Sequence, residues 1–457
     1  MSAKERLNNS FDRDSKGFYS RLLRISAPIA VQQLMLALVA VADALMLGSI
    51  EQNAMSAVTL ATQVQFVQNL LISACAGPAA ILGAQYWGKG ERKPMLDVYN
   101  TALRMTAVIS LAFFLACELG PQYLMCIFTN ETALVEIGVR YLKVAGWSYL
   151  LVGTSQSLLS LMKVTEHVKT VAAISIGAVV TNIIFNAIFI YGWFGLPAMG
   201  AEGAALSTLM VRILELAACI LMVMRKRYVK PNLKRILVYN RPLIQDFLRC
   251  MWPLLGAGML WGIGFTSYTA FMGHLGEDAA AANSICSVVR DCVCCLTDGF
   301  ATGAGIVVGN ELGAGKLDCA KRYGIRIMRM SFVLGILSTG IMLLLVTPVA
   351  HGVKLTDGAR DLLYGMMLVM AVYMIGRCVN TVVINGIFAA GGDTLFDMYS
   401  LAVAMWCLAV PLAALGTFVF HWHPVLVYAM TCLDEVGKIP WVLMHFRKYR
   451  WVRDLTR

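Results

Sequence analysis

Long apolar segments dominate this sequence. After a polar and basic stretch at residues 1–20, apolar runs of helical length recur along the chain, separated by short polar or Gly-rich turns. About 20 such residues let an α-helix cross a bilayer. Hydrophobic residues make up 58% of the chain and charged residues only 14%, which is more apolar surface than one soluble core can bury. The sequence therefore predicts an all-α polytopic membrane protein.

The polar turns predict the orientation of twelve transmembrane helices. Basic residues cluster at the N-terminus, after the second, fourth, sixth and eighth spans, and in the C-terminal tail, whereas most of the alternate loops are acidic or neutral. The positive-inside rule then places both termini in the cytoplasm, and we expect a plasma (inner) membrane protein. The net charge of +11 does not indicate nucleic-acid binding, because the basic residues lie in these separate clusters.

The two halves of the chain repeat each other. Pro253 follows Pro28 by 225 residues, and the same offset superimposes Gly88 on Gly313 and Arg104 on Arg329. Two copies with an even number of spans have the same orientation, and such lobes enclose a cavity. The predicted domains are a tail at 1–20, an N-terminal six-helix lobe at 21–224, a basic linker at 225–249, a C-terminal six-helix lobe at 250–446 and a tail at 447–457.

The first span, residues 25–48, contains groups that lipid does not tolerate. Pro28 interrupts the helical hydrogen bonds, and Asp43 costs about 2.5–3.5 kcal/mol at mid-bilayer. Gln32 lies three helical turns before Asp43 and shares its face, so that face must contact protein or water. An intramembrane carboxylate indicates a transport site, although a buried structural aspartate and a static Pro28 kink are the alternatives.

Several motifs resemble the multidrug and toxic compound extrusion (MATE) transporters. They include P-I-A-V-Q-Q and V-A-D-A-L-M-L-G in the first span, T-N-I-I-F-N-A-I-F-I-Y-G in the fifth, G-A-E-G-A-A-L-S-T in the sixth and G-G-D-T after the tenth. The resemblance covers essentially the whole chain. It implies a twelve-helix, two-lobe antiporter that exports drugs or other toxic organic compounds, cationic or amphipathic in character, in exchange for H⁺ or Na⁺.

The resemblance also implies a cation-coupling site in the N-terminal lobe. Asp43, Asn182 and Thr208 match the family residues of the first, fifth and sixth spans, and Pro28 matches the proline that bends the first helix. Asn186 stands where many members have a second aspartate. We expect H⁺ or Na⁺ at Asp43, with no other metal and no cofactor. Asn182 and Asn186 share a helix face, and a simple bridge between helices is the alternative reading of this pair.

The C-terminal half departs from the family pattern. A branch of the family has a glutamate in the seventh span and an aspartate in the tenth, but these positions fall near Trp261 and Cys378, so we expect that cation site to be absent. The repeat copy of Asp43 is Tyr268.

Other charged residues lie inside the C-terminal spans. They are Arg290, Asp291 and Asp298 in the eighth span and Arg377, near Asn380, in the tenth. We predict a structural bridge between Arg377 and Asp298, and the alternative is that Gln32, Asp298, Arg377 and Asn380 line the substrate cavity. Two further sets have the spacing of local ion pairs, namely Arg212 with Glu215, and Asp434 and Glu435 with Lys438.

Two other function classes are the alternatives to a drug antiporter. A lipid-precursor flippase of the same broad superfamily would use arginines such as Arg290 and Arg377 in a cavity between two lobes, although such proteins resemble chains with fourteen spans. An intramembrane enzyme is not expected, because the sequence contains no H-E-x-x-H or G-x-S-x-G motif. We expect small organic substrates, a lipid bilayer and no nucleic acid as partners, and a monomer.

Overall fold

The structure is a computed structural model that describes residues 3–48, 52–195, 197–225, 229, 240–353 and 355–456. Within these ranges it describes the side chains of all residues except 3–16, 40, 41, 43–45, 47, 48, 52, 53 and 194. Every regular element in this part of the chain is helical. The predicted all-α fold is confirmed.

Nine long helices form the first nine of the twelve helical segments in the described residues. In chain order they are α1 (Ala3–Gly48), α2 (Gln52–Lys89), α3 (Arg92–Leu119), α4 (Thr132–Val164), α5 (Val168–Tyr191), α6 (Gly200–Met224), α7 (Arg241–His274), α8 (Glu277–Gly313) and α9 (Leu317–Gly352). Most of them begin and end close to the predicted spans, but α1 begins at Ala3, inside the predicted tail, and α7 begins at Arg241. A short helix, Pro121–Cys126, lies between α3 and α4.

The last three segments are irregular. Segment α10 (Asp357–Phe388) contains a π-helical stretch at Thr381–Phe388, and α11 (Thr394–Phe418) contains another at Ala402–Ala409. Segment α12 consists of three short helices, Pro424–Thr431, Leu433–Val436 and Ile439–Arg447. Helix irregularities of this kind often mark functional sites, since they free backbone groups and redirect side chains.

Length and hydropathy distinguish nine of the twelve segments from the other three. Nine helices in the described residues are long and apolar enough to cross a membrane. The remaining segments, α4, α7 and α12, also occupy predicted spans. Segment α7 begins at Arg241, inside the predicted linker, and most of the linker before it lies outside the described residues.

The chain divides into two compact units. The C-terminal unit contains residues up to Gln33, Ala84–Gly90 and the chain from Trp252 onward, and the N-terminal unit contains Leu34–Gly83 and Glu91–Met251. Helix α1 therefore passes from one unit to the other between Gln33 and Leu34. These units are defined by packing, whereas the predicted lobes are defined by the sequence repeat, and the lobe boundaries stay a prediction.

Each unit has an apolar core of its own. In the N-terminal unit, buried residues such as Leu142, Tyr149 and Ala205 join α4 to α2 and α6. In the C-terminal unit, four methionines of α10 pack at the centre of the core, at positions 366, 367, 370 and 374, each at most 2% exposed. The methionine-rich segment of α10 is therefore core.

Candidate functional site: two polar cavities

Helices α5 and α6 come close enough for their backbones to touch. Gly203 makes this contact possible, because a Cβ atom there would lie 2.5 Å from the carbonyl oxygen of Phe189. Gly192, in the left-handed conformation with φ 73°, ends α5 and starts the turn toward α6. The close approach places polar side chains of both helices against each other.

A hydrogen-bonded network connects these two helices. The Ser207 hydroxyl lies 3.2 Å from the backbone oxygen of Asn182, and the Asn182 amide nitrogen lies 3.4 Å from the Ser207 oxygen. The Asn186 amide donates to the Asn182 side-chain oxygen over 3.2 Å. Asn182 and Asn186 are buried. The structure thus brings together the predicted asparagine pair, as the spacing of four residues requires.

A cavity of about 190 Å³ lies beside this network, and we call it the amide cavity. A void of about 150 Å³ is enough for a benzene-sized molecule. Asn182, Asn186 and Thr208 line it, so three of the four predicted cation-coupling residues face one space. Its other lining residues, all in the N-terminal unit, are Leu36, Val39, Val58, Thr62, Gln65, Tyr141, Ser175, Ala178, Val179, Ala204, Val211, Arg212 and Glu215.

The ion pair predicted in α6 is confirmed, and it borders the amide cavity. The Arg212 guanidinium lies 2.6 Å from the Glu215 carboxylate, and the Glu215 side chain is only 4% exposed. Lys163 of α4 is within electrostatic range of the same carboxylate. The sequence predicted only a structural role for this pair. A spacing of three residues on a helix explains an ion pair by itself and does not indicate a neighbouring cavity.

The remaining predicted residues of the first span have different outcomes. The side chain of Asp43 lies outside the described part of the structure, so its role stays a prediction. Gln32 is buried, and α1 continues through Pro28 without interruption. Around Pro28, α1 packs closely on α8, since a Cβ atom at Gly299 or Gly303 would overlap Ala30 or Ser26.

The C-terminal unit contains a buried group of charges, which we call the Glu435 cluster. The Glu435 carboxylate accepts from Arg377 over 3.0 Å and from Asn380 over 2.7 Å, and it lies 3.4 Å from the ammonium group of Lys438. The Asn380 amide also donates to the Glu435 backbone oxygen over 2.7 Å. Carbonyl groups lose their helical partners where a helix breaks, as α12 does here.

The predicted bridge between Arg377 and Asp298 is wrong. Arg377 pairs with Glu435 instead, because the break in α12 turns the Glu435 side chain toward α10. Gly376 lets the two segments approach, since a Cβ atom there would lie 3.1 Å from the Glu435 backbone oxygen. Asp298 remains in electrostatic range of Arg377 without forming an ion pair among the described residues.

A second cavity, of about 30 Å³, lies next to the Glu435 cluster, and we call it the aromatic cavity. Its walls include Trp261, Phe265, Tyr268, Tyr373 and Tyr428, and its polar lining includes Asn283, Arg290, Thr431 and Asp434. Arg290 pairs with Asp291 over 2.8 Å and lies 4.4 Å from the centre of the Phe265 ring. The aromatic cavity therefore combines charged and aromatic groups within one half of the chain.

The amide cavity has the ligand atoms that suit a small hard cation. Amide and hydroxyl oxygens of Asn182, Asn186 and Thr208 border it, and Na⁺ and water both bind such oxygen ligands. A carboxylate is needed to balance the ion charge, and the resemblance assigns that part to Asp43. The described residues thus fit the neutral portion of a cation site.

Comparison with known proteins agrees with the fold. The YisQ protein of Bacillus subtilis, an uncharacterized transporter, is 24% identical over 86% of both chains. A probable multidrug resistance protein, NorM of Bradyrhizobium diazoefficiens, is 23% identical over 91% of this chain and 94% of that one.

Solved structures also have this fold. A MOP superfamily transporter from Pyrococcus furiosus gives a TM-score of 0.85 at 15% identity and covers 94% of this chain and 95% of its own. A multidrug resistance MATE family transporter in an outward-facing conformation gives a TM-score of 0.84 at 16% identity, with 94% and 96% covered.

The MatE family profile matches residues 28–188 and 253–415. The two matches begin at Pro28 and Pro253, the pair that defines the sequence repeat. Together they span most of the chain, and the predicted resemblance is confirmed. The chain belongs to the MatE family of multi-pass membrane transporters.

Proposed function

We propose that this protein is a cation-coupled antiporter that exports drugs or other toxic organic compounds by alternating access. The observation that carries the proposal is the amide cavity, in which Asn182, Asn186 and Thr208 meet beside apolar side chains. A site of this kind offers oxygen ligands to a cation and apolar surface to an organic molecule. Multidrug resistance relatives such as NorM support the same substrate class.

The proposed mechanism depends on the charge of Asp43. When H⁺ or Na⁺ neutralises this carboxylate, the face of α1 that contains Asp43 no longer has the charge that favours its hydration. That face then repacks, with Pro28 as the flexible point. Drug and cation then compete for the same unit. An antiporter requires such competition, because a ligand shifts a conformational equilibrium only by the difference in its affinity for the two states.

The lining of the amide cavity indicates amphipathic organic cations as substrates. Leu36, Val39 and Val179 supply apolar contacts, and Glu215 adds a buried carboxylate near the asparagine pair. Because Arg212 already pairs with Glu215, Asp43 is the carboxylate that a cationic substrate would meet. We expect the protein to act as a monomer and to need no cofactor beyond its coupling ion.

The flippase alternative loses its main support. It required Arg290 and Arg377 to bind an anionic lipid headgroup, but Arg377 binds Glu435 and Arg290 binds Asp291. A buried arginine that already has a carboxylate partner has little capacity left for another anion. Export of small organic compounds is therefore the function that we propose.

Efflux of a fluorescent organic cation tests this function. We expect cells that carry the protein to expel the dye when a pH gradient or a Na⁺ gradient is imposed, and the effective gradient identifies the coupling ion. Asp43→Asn should abolish gradient-driven efflux, because its side chain is permanently neutral. Asp318→Asn, which changes an exposed carboxylate at the start of α9, is the control. Dye efflux at the full rate in Asp43→Asn would refute the mechanism.

The proposed orientation can be tested with two native cysteines. Cys126 is exposed in the short helix between α3 and α4, whereas Cys319 is half-buried near the start of α9. With both termini in the cytoplasm, an impermeant maleimide should label Cys126 from outside intact cells and Cys319 only after permeabilisation. Cys126→Ser should remove the external signal. The reverse pattern would mean that the orientation is inverted.

A further inference from the structure

The last turns of α2 pack in a different compact unit from the rest of that helix. Residues Ala84–Gly90 belong to the C-terminal unit, and there they cross the end of α8 at backbone contact. A Cβ atom at Gly88 would overlap the Asn310 carbonyl group, and one at Gly313 would overlap the Gln85 carbonyl group. The repeat offset of 225 residues relates Gln85 to Asn310 and Gly88 to Gly313. Equivalent residues of the two repeats therefore make the same contact in both directions.

The Gln85 side chain joins this crossing to the residues that follow α12. It is fully buried, and its amide nitrogen donates to the backbone oxygens of Ala390, over 2.7 Å, and Arg453, over 3.2 Å. Its side-chain oxygen accepts from the backbone N–H of Leu455 over 2.6 Å. A buried amide is costly unless its donor and acceptor are both used. Gln85 is thus satisfied by the residues after α12 and by the turn between α10 and α11.

Residues 450–456, which we call the strap, pack over the same place. Trp451 is fully buried against Gly324 of α9, where a Cβ atom would overlap its ring, and its backbone oxygen touches Gly391 in the turn between α10 and α11. Leu455 covers the next glycine of that turn. The strap contains no helix, so side-chain insertion and the bonds to Gln85 hold it in position.

These contacts are of a kind that can be made and broken. The strap is held chiefly through Trp451, Leu455 and the hydrogen bonds to Gln85, and a segment held in this way opens locally at a lower free energy than the whole fold. Gly88 and Gly313 have no side chains that would have to disengage. Once the strap is released, the crossing of α2 and α8 can therefore open without repacking of interlocked side chains.

We propose that the strap holds the end of α2 closed on α8 and that its release allows this end of the protein to open. Its place in a transport cycle rests on the proposed alternating-access function. In the proposed orientation α2 and α8 end at the cytoplasmic side, where an exporter must open to admit its substrate. Gln85 is a positioning residue in this device, since it acts through the strap.

Hydrogen–deuterium exchange of the full chain in lipid nanodiscs measures release of the strap. Gln85→Leu keeps the size of the side chain but removes its hydrogen bonds. The backbone amides of residues 451–456 should then exchange about tenfold faster, the effect of about one net hydrogen bond. Gln68→Leu is the matched control, because Gln68 is equally buried in α2 but donates to the Tyr149 backbone oxygen in the N-terminal unit.

Two results of this experiment would overturn the proposal. One is equal exchange of the strap in Gln85→Leu and Gln68→Leu. The other is an equal increase across the methionine-rich core of α10, because exchange there would mean that the substitution destabilises the whole unit.

Thiol labelling shows whether release of the strap opens the end of α2. Ala84→Cys places a thiol in the crossing, where Ala84 is 2% exposed and faces Gly309. N-ethylmaleimide should modify this thiol about tenfold faster when Leu455→Ala is added, since the lost apolar contact favours release. Peptide mass spectrometry of the full chain measures the rate at this site. Lys448→Ala, which changes an exposed side chain just before the strap, is the control.

Equal labelling rates with and without Leu455→Ala would overturn the proposal, because the strap would then have no control over the end of α2. Neither measurement uses drug or transport. Failure here therefore leaves the export proposal untouched, and absence of dye efflux would leave the strap result standing.

Discussion

The amide cavity and the aromatic cavity satisfy their buried polar groups in different ways. In the N-terminal unit, neutral amides and hydroxyls such as Asn182, Asn186 and Thr208 surround about 190 Å³. In the C-terminal unit, Arg377, Lys438 and Glu435 form fixed ion pairs beside a void of about 30 Å³. The amide cavity therefore has more space and a mostly neutral polar lining, with one ion pair, Arg212 and Glu215, at its border. The C-terminal unit has several buried charges and little space.

This difference indicates that the two regions have different functions. A neutral hydrogen bond contributes only about 0.5–1.5 kcal/mol, so a ligand can replace it at small cost. Breaking a buried ion pair costs about 3–5 kcal/mol, because the remaining charge has no partner. The amide cavity is thus suited to exchange ligands, and the Glu435 cluster is suited to hold α10 and α12 in one arrangement.

The largest expected effect comes from breaking the Glu435 cluster. Glu435→Gln removes the ion-pair partner of both Arg377 and Lys438 and should destabilise the protein by about 3–5 kcal/mol. Glu215→Gln is the matched variant in the other unit. It should cost less, about 1–2 kcal/mol, because Glu215 pairs with Arg212, whose side chain is 22% exposed, whereas Glu435 also pairs with Lys438, whose side chain is only 3% exposed. Melting temperatures in one detergent compare the two.

A double variant separates the contribution of the ion pair to stability from that of side-chain packing in the same experiment. Arg377→Gln combined with Glu435→Gln removes both charges and should recover part of the stability lost in Glu435→Gln. If Glu215→Gln lowers the melting temperature as much as Glu435→Gln, the contrast between the two halves is wrong.

A smaller effect is expected from adding charge to the amide cavity. Asn186→Asp restores the second carboxylate of many relatives and should increase Na⁺ affinity about tenfold if the cavity is a cation site, since two carboxylates attract a cation better than one. Asn100→Asp, at a buried position of α3, controls for the added charge. The Na⁺ concentration at half-maximal binding is the quantity to measure. An unchanged value would mean that the asparagine pair only joins α5 to α6.

The sequence predicted most of the helical architecture. Hydropathy located the twelve segments, because apolar length is a local property, and the spacing of Asn182 and Asn186 placed both on one face of α5. The spacing of Arg212 and Glu215 likewise predicted their ion pair. Each of these inferences depends on residues in one helix, where periodicity determines which side chains meet.

Contacts between helices were harder to predict. Asp298 was expected to pair with Arg377, but Glu435 does so because α12 breaks into short helices and approaches α10 at Gly376. Nothing in the hydropathy of α12 locates that break. Tyr268 was noted only as the copy of Asp43, and its position beside Asp434 depends on how α7 packs against α12.

Competition between drug and cation is the most direct test of the account. Equilibrium binding of a fluorescent organic cation to the protein in nanodiscs should weaken as H⁺ or Na⁺ concentration rises, because both ligands need the ionised Asp43. In Asp43→Asn this dependence should disappear, whereas it should persist in Asp434→Asn, whose substitution lies in the other unit. Drug affinity that is independent of both cations in the wild type, or competition that persists unchanged in Asp43→Asn, would contradict the account.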